Sequence, residues 1–172
     1  MDRGDVPLEN PLPLFIVTGA SGSGKTYVVN DLRQIMPDYE VFDTDSLIEV
    51  MGHDWEKIRM TWLRIAREIA RNGRMTILCG TQMPWDIEKC ADYPAFRHVY
   101  YLNLHCKEEA REKRLRERNW TDEMIRNHLD FANALLEIAA KEFDPPMPTI
   151  DTTELDASAV ASRIKDWVLR HA

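Results

Sequence analysis

The chain has 172 residues, 44% of them hydrophobic and 30% charged, enough apolar content to bury one core without disulfide or metal staples. Twenty-two basic against twenty-nine acidic side chains leave a net charge of −7, the wrong sign for a protein that grips nucleic acid by its phosphates. No apolar run approaches the ~20 residues that span a bilayer, and the three cysteines, Cys79, Cys90 and Cys106, show no C-x-x-C spacing, so no membrane span, metal cluster or disulfide framework is expected.

A single domain over 1–172 is expected, because neither repeats nor a linker interrupt it. The segment over 1–12 reads as an acidic, proline-punctuated leader without the plan of a secretory signal, and reduced thiols suit a cytoplasmic protein. Leu14 to Thr18 is a buried strand. A glycine-rich turn follows, then a helix from Thr26 to Met36 stopped by Pro37. Tyr39 to Phe42 is a second strand, ending in Asp43. Trp55 to Asn72 is a helix with Ile58, Trp62, Ile65 and Ile69 as its apolar stripe, and Asn72-Gly73 stops it. Met75 to Cys79 is a third strand broken by Gly80. His98 to Leu104 is a fourth, followed by a charged helix from Lys107 to Arg118. Thr121 caps a longer helix whose apolar face is Ile125, Leu129, Ala132, Leu136, Ala139 and Phe143, ended by Pro145-Pro146-Met147-Pro148. Thr149 to Asp151 is a fifth strand, and Asp156 opens a last helix with Val160, Ile164 and Trp167 inward. Alternating strands and helices predict a mostly parallel sheet covered on both faces, with ligands at the carboxyl ends of its strands.

Gly19-Ala20-Ser21-Gly22-Ser23-Gly24-Lys25-Thr26 matches G-x-x-x-x-G-K-[ST]. Glycines let the backbone wrap phosphate oxygens with its N–H groups inward, and the helix that follows adds its positive end. In this motif Lys25 reaches the β- and γ-phosphates and the Thr26 hydroxyl ligates Mg²⁺. Asp43 and Asp45 project the same way from an extended segment, which suits one for holding Mg²⁺ through water and the other for taking a proton from an attacking hydroxyl. The bland alternative for Asp45 is a cap on a short helix over 46–50. Strand three ends without the acidic residue an ATPase places there, and no N-K-x-D guanine signature occurs. Arg114 and Arg118 share one helix face.

On the phosphate loop, on Phe42-Asp43-Thr44-Asp45, on Arg114-Leu115-Arg116-Glu117-Arg118 and on Ile150-Asp151-Thr152-Thr153, the chain resembles the small P-loop kinases of the nucleoside and nucleotide kinase, shikimate kinase and gluconate kinase type. The resemblance spans Leu14 to Trp167. It implies an α/β three-layer sandwich, a five-stranded parallel sheet in the order 2-3-1-4-5, and a short lid over about 111–125. It also implies ATP and Mg²⁺ as cofactors and a small-molecule acceptor, either a hydroxyl compound or a nucleotide. By the same resemblance Asp43 takes the metal, Asp45 serves the acceptor, and Arg114 and Arg118 contact ATP and the transferring phosphoryl group. Gly80, Thr81 and Gln82 sit where related kinases touch the acceptor, or else only reverse the chain. Arg111, Lys113 and Arg116 read as a solvated face. Arg59, at the border of the buried stripe, is a candidate for an acidic group on the acceptor, or a surface arginine paired with a neighbour such as Glu56. The histidines (His53, His98, His105, His128, His171) are given no role. The expected protein is a cytoplasmic ATP-dependent kinase, a monomer or a homodimer, with no nucleic-acid or membrane partner. The alternative is a nucleotide-binding regulator or slow NTPase without an acceptor.

Overall fold

Position in the sheet decides how each strand is written. In the computed structural model, which describes residues 10–143 and 146–172, β1 (Leu14–Thr18) lies between β3 (Met75–Cys79) and β4 (Val99–His105), with all three parallel. A strand enclosed on both faces must be apolar throughout, and Leu14, Phe15, Ile16 and Val17 are fully buried. β2 (Tyr39–Asp43) and β5 (Thr149–Asp151) form the edges, completing the order β2-β3-β1-β4-β5. This is the expected 2-3-1-4-5 sheet, and every pairing is parallel.

Alternation along β1 splits the core into two layers. Phe15 and Val17 face α1 (Lys25–Ile35) and α7 (Ala157–Leu169), packing with Val28, Leu32, Val160, Ile164 and Trp167. Leu14 and Ile16 face the other way, onto Ile58, Trp62, Leu63 and Ala66 of α3 (Trp55–Arg71). The buried stripe of α3 is therefore Ile58, Trp62, Leu63, Ala66 and Ala70, with Ile65 and Ile69 only half-buried. Two of its five members are alanines, which a reading of the large apolar residues alone does not reveal. In α6 (Asp122–Lys141) the buried residues are Ile125, Ala132, Leu135 and Ala139, while Leu129 and Leu136 are half-buried. Its inner face meets Met83 and Met147 rather than the sheet alone.

Two short helices, α2 (Ile48–Met51) and α4 (Pro84–Ile87), complete the loops after β2 and β3. The expected charged helix is shorter, α5 (Glu108–Arg116), and a turn over 117–121 joins it to α6. That turn passes through Asn119 at φ 59, a left-handed conformation that asparagine tolerates. The leader expected over 1–12 lies mostly, and Pro145 lies wholly, outside the described residues. Among those described, no helix is long and apolar enough to cross a membrane.

Candidate active site

The carboxyl ends of β1, β2 and β3 carry the predicted chemistry. Gly19, Gly22 and Gly24 all have positive φ, at 146, 80 and 101, which a residue with a Cβ rarely adopts. Gly19 is needed twice over, since a side chain there would also run into the Leu104 carbonyl on β4. Ala20, Gly22 and Ser23 are buried beneath the loop surface, and the Ser23 hydroxyl is enclosed without a hydrogen-bond partner. Lys25 and Thr26 open α1. The Lys25 ammonium donates to the carbonyls of Gly19 at 2.7 Å and Ala20 at 3.1 Å. Burial, reinforced by the cations Arg111 and Arg118 and opposed by Asp45 and Asp43, lowers its pKa to about 8.

The D-x-D segment folds as a 3₁₀ turn over Thr44–Leu47. Its cap is Asp43, not Asp45: the Asp43 carboxylate accepts the Asp45 N–H at 3.0 Å. Asp45 is thereby left free of capping duty, on the open side of the turn but with its carboxyl partly desolvated. Its pKa is raised, first by burial of its carboxyl and then by the Asp43 charge, against the pull of Lys25 and Arg118. Trp62 holds this turn from below, its indole N–H donating to the Thr44 carbonyl at 3.0 Å while its ring packs on Phe42. Gly80 abuts the same turn, because a Cβ there would collide with the Thr44 hydroxyl.

Thr81 and Gln82 do more than reverse the chain. The Thr81 hydroxyl donates to Gly19 O at 2.8 Å, and the Gln82 N–H donates to the Thr18 hydroxyl at 3.1 Å. The Gln82 side chain, 4% exposed, donates from Nε2 to Thr44 Oγ1 at 3.4 Å and leaves Oε1 unpartnered. Arg59 is paired with a neighbour, as the plainer alternative has it, though the partner is not Glu56. It reaches from α3 to Asp86 of α4 at 3.9 Å.

The basic run of α5 divides differently from expectation. Arg116 is solvated and paired with Glu112 and Asp122, and Lys113 is exposed, as a surface face requires. Arg111 is the exception: it is 1% exposed and lies under the phosphate loop, donating to Ser21 O at 2.5 Å and Cys106 O at 3.3 Å. Sequence reading missed it because charged residues surround α5 and no periodicity marks an inward side. Arg114 donates to Gly22 O at 3.0 Å and to Thr152 O at 3.1 Å, and the Thr152 hydroxyl donates to Ser23 O at 2.8 Å. Cys106 adds its thiol to Gly22 O at 3.4 Å. Arg118 is exposed at the mouth of a cleft of about 450 Å³, lined by Gly24, Tyr27, Arg114, Thr152, Leu155 and Val160 among others. This cleft runs from the phosphate loop to α7, with an apolar inner wall and arginines at one rim. His128, given no role from sequence, stands on the inner side of α6 with Nδ1 buried and unpartnered and its ring edge-on to Trp120 at 4.8 Å.

No protein-family model matches the chain, and no curated protein matches it in sequence. Solved structures do match in shape. The shikimate kinase from Acinetobacter baumannii in complex with shikimate is 19% identical, with 95% of this chain and 96% of that one covered at a TM-score of 0.58. A gluconokinase from Sinorhizobium meliloti 1021 is 17% identical over 95% and 99% of the two chains, with a TM-score of 0.57. The Deinococcus radiodurans tunicamycin resistance protein is 17% identical over 92% and 96%, with a TM-score of 0.66. The sheet order, the phosphate loop and these likenesses together give the chain the fold of the small P-loop kinases.

Proposed function

We propose that the protein is an ATP-dependent kinase of a small molecule, transferring the γ-phosphate to a hydroxyl or nucleotide acceptor. One observation carries the reading: Asp45, freed from capping by Asp43, stands at the carboxyl end of β2 within the electrostatic influence of Lys25 and Arg118, beside a complete phosphate loop. A carboxylate whose pKa is raised takes a proton more readily, so a hydroxyl acceptor is favoured over a phosphate, which needs no base. Arg114 and Arg118 flank the nucleotide cleft and supply positive charge where phosphoryl transfer demands it. Gly80, Gln82 and Arg59 form the acceptor side, where Gly80 and Gln82 both pack on Thr44 of the D-x-D turn.

The residues present suit Mg²⁺. Hard cations of this size take oxygen donors and use one or two protein ligands beside substrate phosphates, and the Thr26 hydroxyl and Asp43 carboxylate are such donors. Among the described residues no cluster of three or more His, Cys, Asp or Glu offers an all-protein metal cage. Mg²⁺ held there would neutralise phosphate charge.

ATP consumption measured against nucleosides, nucleotides, sugar acids and shikimate-like alcohols tests the reading. One acceptor class is expected to raise consumption many-fold over the basal rate. A basal rate unmoved by every class, with ATP still bound, would favour a nucleotide-dependent regulator instead.

A further inference from the structure

Among the described residues Arg111 is the largest fully buried side chain. Buried charges are normally paired, because a lone ion in the interior is costly. Arg59, Arg64, Arg74 and Arg116 each have a carboxylate within 4.0 Å. Among the described residues none is paired with Arg111. Its hydrogen bonds go to two carbonyls, Ser21 O and Cys106 O, and its cationic neighbour Arg114 is hydrogen-bonded to Gly22 O on the same loop.

The position of those carbonyls matters. A trans peptide is planar, so its C=O and the following N–H point in opposite directions. Fixing Ser21 O toward α5 turns the Gly22 N–H away from α5, into the concavity of the loop. The positive charge on Ser21 O also polarises that peptide and strengthens the N–H as a donor. Gly22 is packed so closely on the Arg111 stem that a Cβ there would stand 3.3 Å from Arg111 Cγ. In the closed arrangement the Arg111 stem and the loop are therefore in direct contact.

We propose that Arg111 is a positioning residue for phosphate binding: lacking a carboxylate partner, it aims the Gly22 N–H at the ligand and takes the nucleotide's phosphates as its counter-charge. This rests on reading the loop as a nucleotide site. Two consequences follow. The contribution of Arg111 to affinity scales with phosphate charge, and adenosine, which carries none, does not feel it.

The experiment is calorimetric titration of the full chain with Mg·ATP, inorganic pyrophosphate and adenosine. Wild type is compared with Arg111→Gln, which keeps a donor for Ser21 O without the charge, and Arg111→Lys, which keeps the charge. Arg111→Gln is expected to weaken pyrophosphate and Mg·ATP by about tenfold or more, as for a lost charge-assisted interaction, with adenosine unchanged. Arg111→Lys is expected to stay within about threefold of wild type, its ammonium acting as a point charge. Pyrophosphate affinity unchanged in Arg111→Gln, or an equal loss for adenosine and pyrophosphate, overturns the proposal. So does an Arg111→Lys variant as weak as Arg111→Gln; if Arg111→Gln does not fold, a tenfold loss in Arg111→Lys alone does the same. A wild type that binds neither Mg·ATP nor pyrophosphate removes the nucleotide reading itself, a separate result from any difference among the variants.

Discussion

At the scale of single residues, the two Asp side chains after β2 are chemically alike and are separated only by what they touch. Asp43 spends one oxygen on the Asp45 N–H, whereas the Asp45 carboxylate has no capping partner and feels the charges of Lys25 and Arg118. Asp45→Asn keeps the shape and removes the base. It is expected to lower turnover with the acceptor by roughly 10²–10⁴, the usual contribution of a positioned general base. Stabilisation by Mg·ATP should stay at the wild-type level in a thermal-shift assay, and near-normal turnover would return Asp45 to a scaffold role. Lys25 gives a pH signature. Its folded pKa of about 8 means that above pH 8 the ammonium is increasingly neutral. Bound phosphates favour the charged form and raise that pKa. Binding of ATP near pH 8.5 should therefore take up protons, and the uptake should fade below pH 7, where Lys25 is already charged. Titration in buffers of different ionisation enthalpy measures it, and Lys25→Met should abolish it.

At the scale of elements, the site is a set of loop ends held in register by short contacts. Gly80 is one of them. Its φ is ordinary, so the requirement is for space against Thr44. Gly80→Ala should push the D-x-D turn outward and cost about 1–3 kcal/mol, as overpacking does, read from the denaturation midpoint. Turnover should fall with it, because the Trp62 bond to Thr44 O locates the same turn. The phosphate loop was legible in the sequence because its ligand-facing atoms are backbone atoms of consecutive residues. The D-x-D pair was visible as two carboxylates one residue apart at a strand end, although which Asp caps the turn was not. Arg111 and Thr152 were not legible. The first sits in a helix with charge all round, where only Arg111 and Leu115 turn inward. The second joins β5 to a loop 129 positions earlier, a contact that exists only once the sheet order is fixed. Ala66 and Ala70, not Ile65 and Ile69, complete the inner stripe of α3, which a search for large apolar residues overlooks.

At the scale of the whole molecule, charge is distributed against its own sum. A chain of net charge −7 gathers Lys25, Arg111, Arg114 and Arg118 around one loop, so attraction for an anionic ligand is local and short-ranged. The two core layers are separate enough to be tested apart. Trp167 packs edge-on to Phe15 at 5.5 Å on the layer formed with α1 and α7, away from the D-x-D turn. Trp167→Ala should cost about 3–5 kcal/mol. Melting should drop by roughly 6–20 °C at 2–4 °C per kcal/mol. The folded remainder should still be stabilised by Mg·ATP, and loss of that response would mean that the layers are not independent.

The thiol of Cys106 lies fully buried beneath the phosphate loop, against Gly22 O. A thiol reagent added to the native protein can reach it only in the moments when the loop lifts from α5. Its labelling rate is therefore a clock for that lifting, running without any assay of turnover. Cys90, buried just past α4 in the core layer formed with α3 and hydrogen-bonded to Asp86 O, keeps separate time. Mg·ATP should slow modification of Cys106 several-fold more than that of Cys90, as ligands that bind only the closed form must. Peptide-resolved mass spectrometry reads the two clocks in one sample, and equal slowing would mean that the loop opens only when the whole chain does.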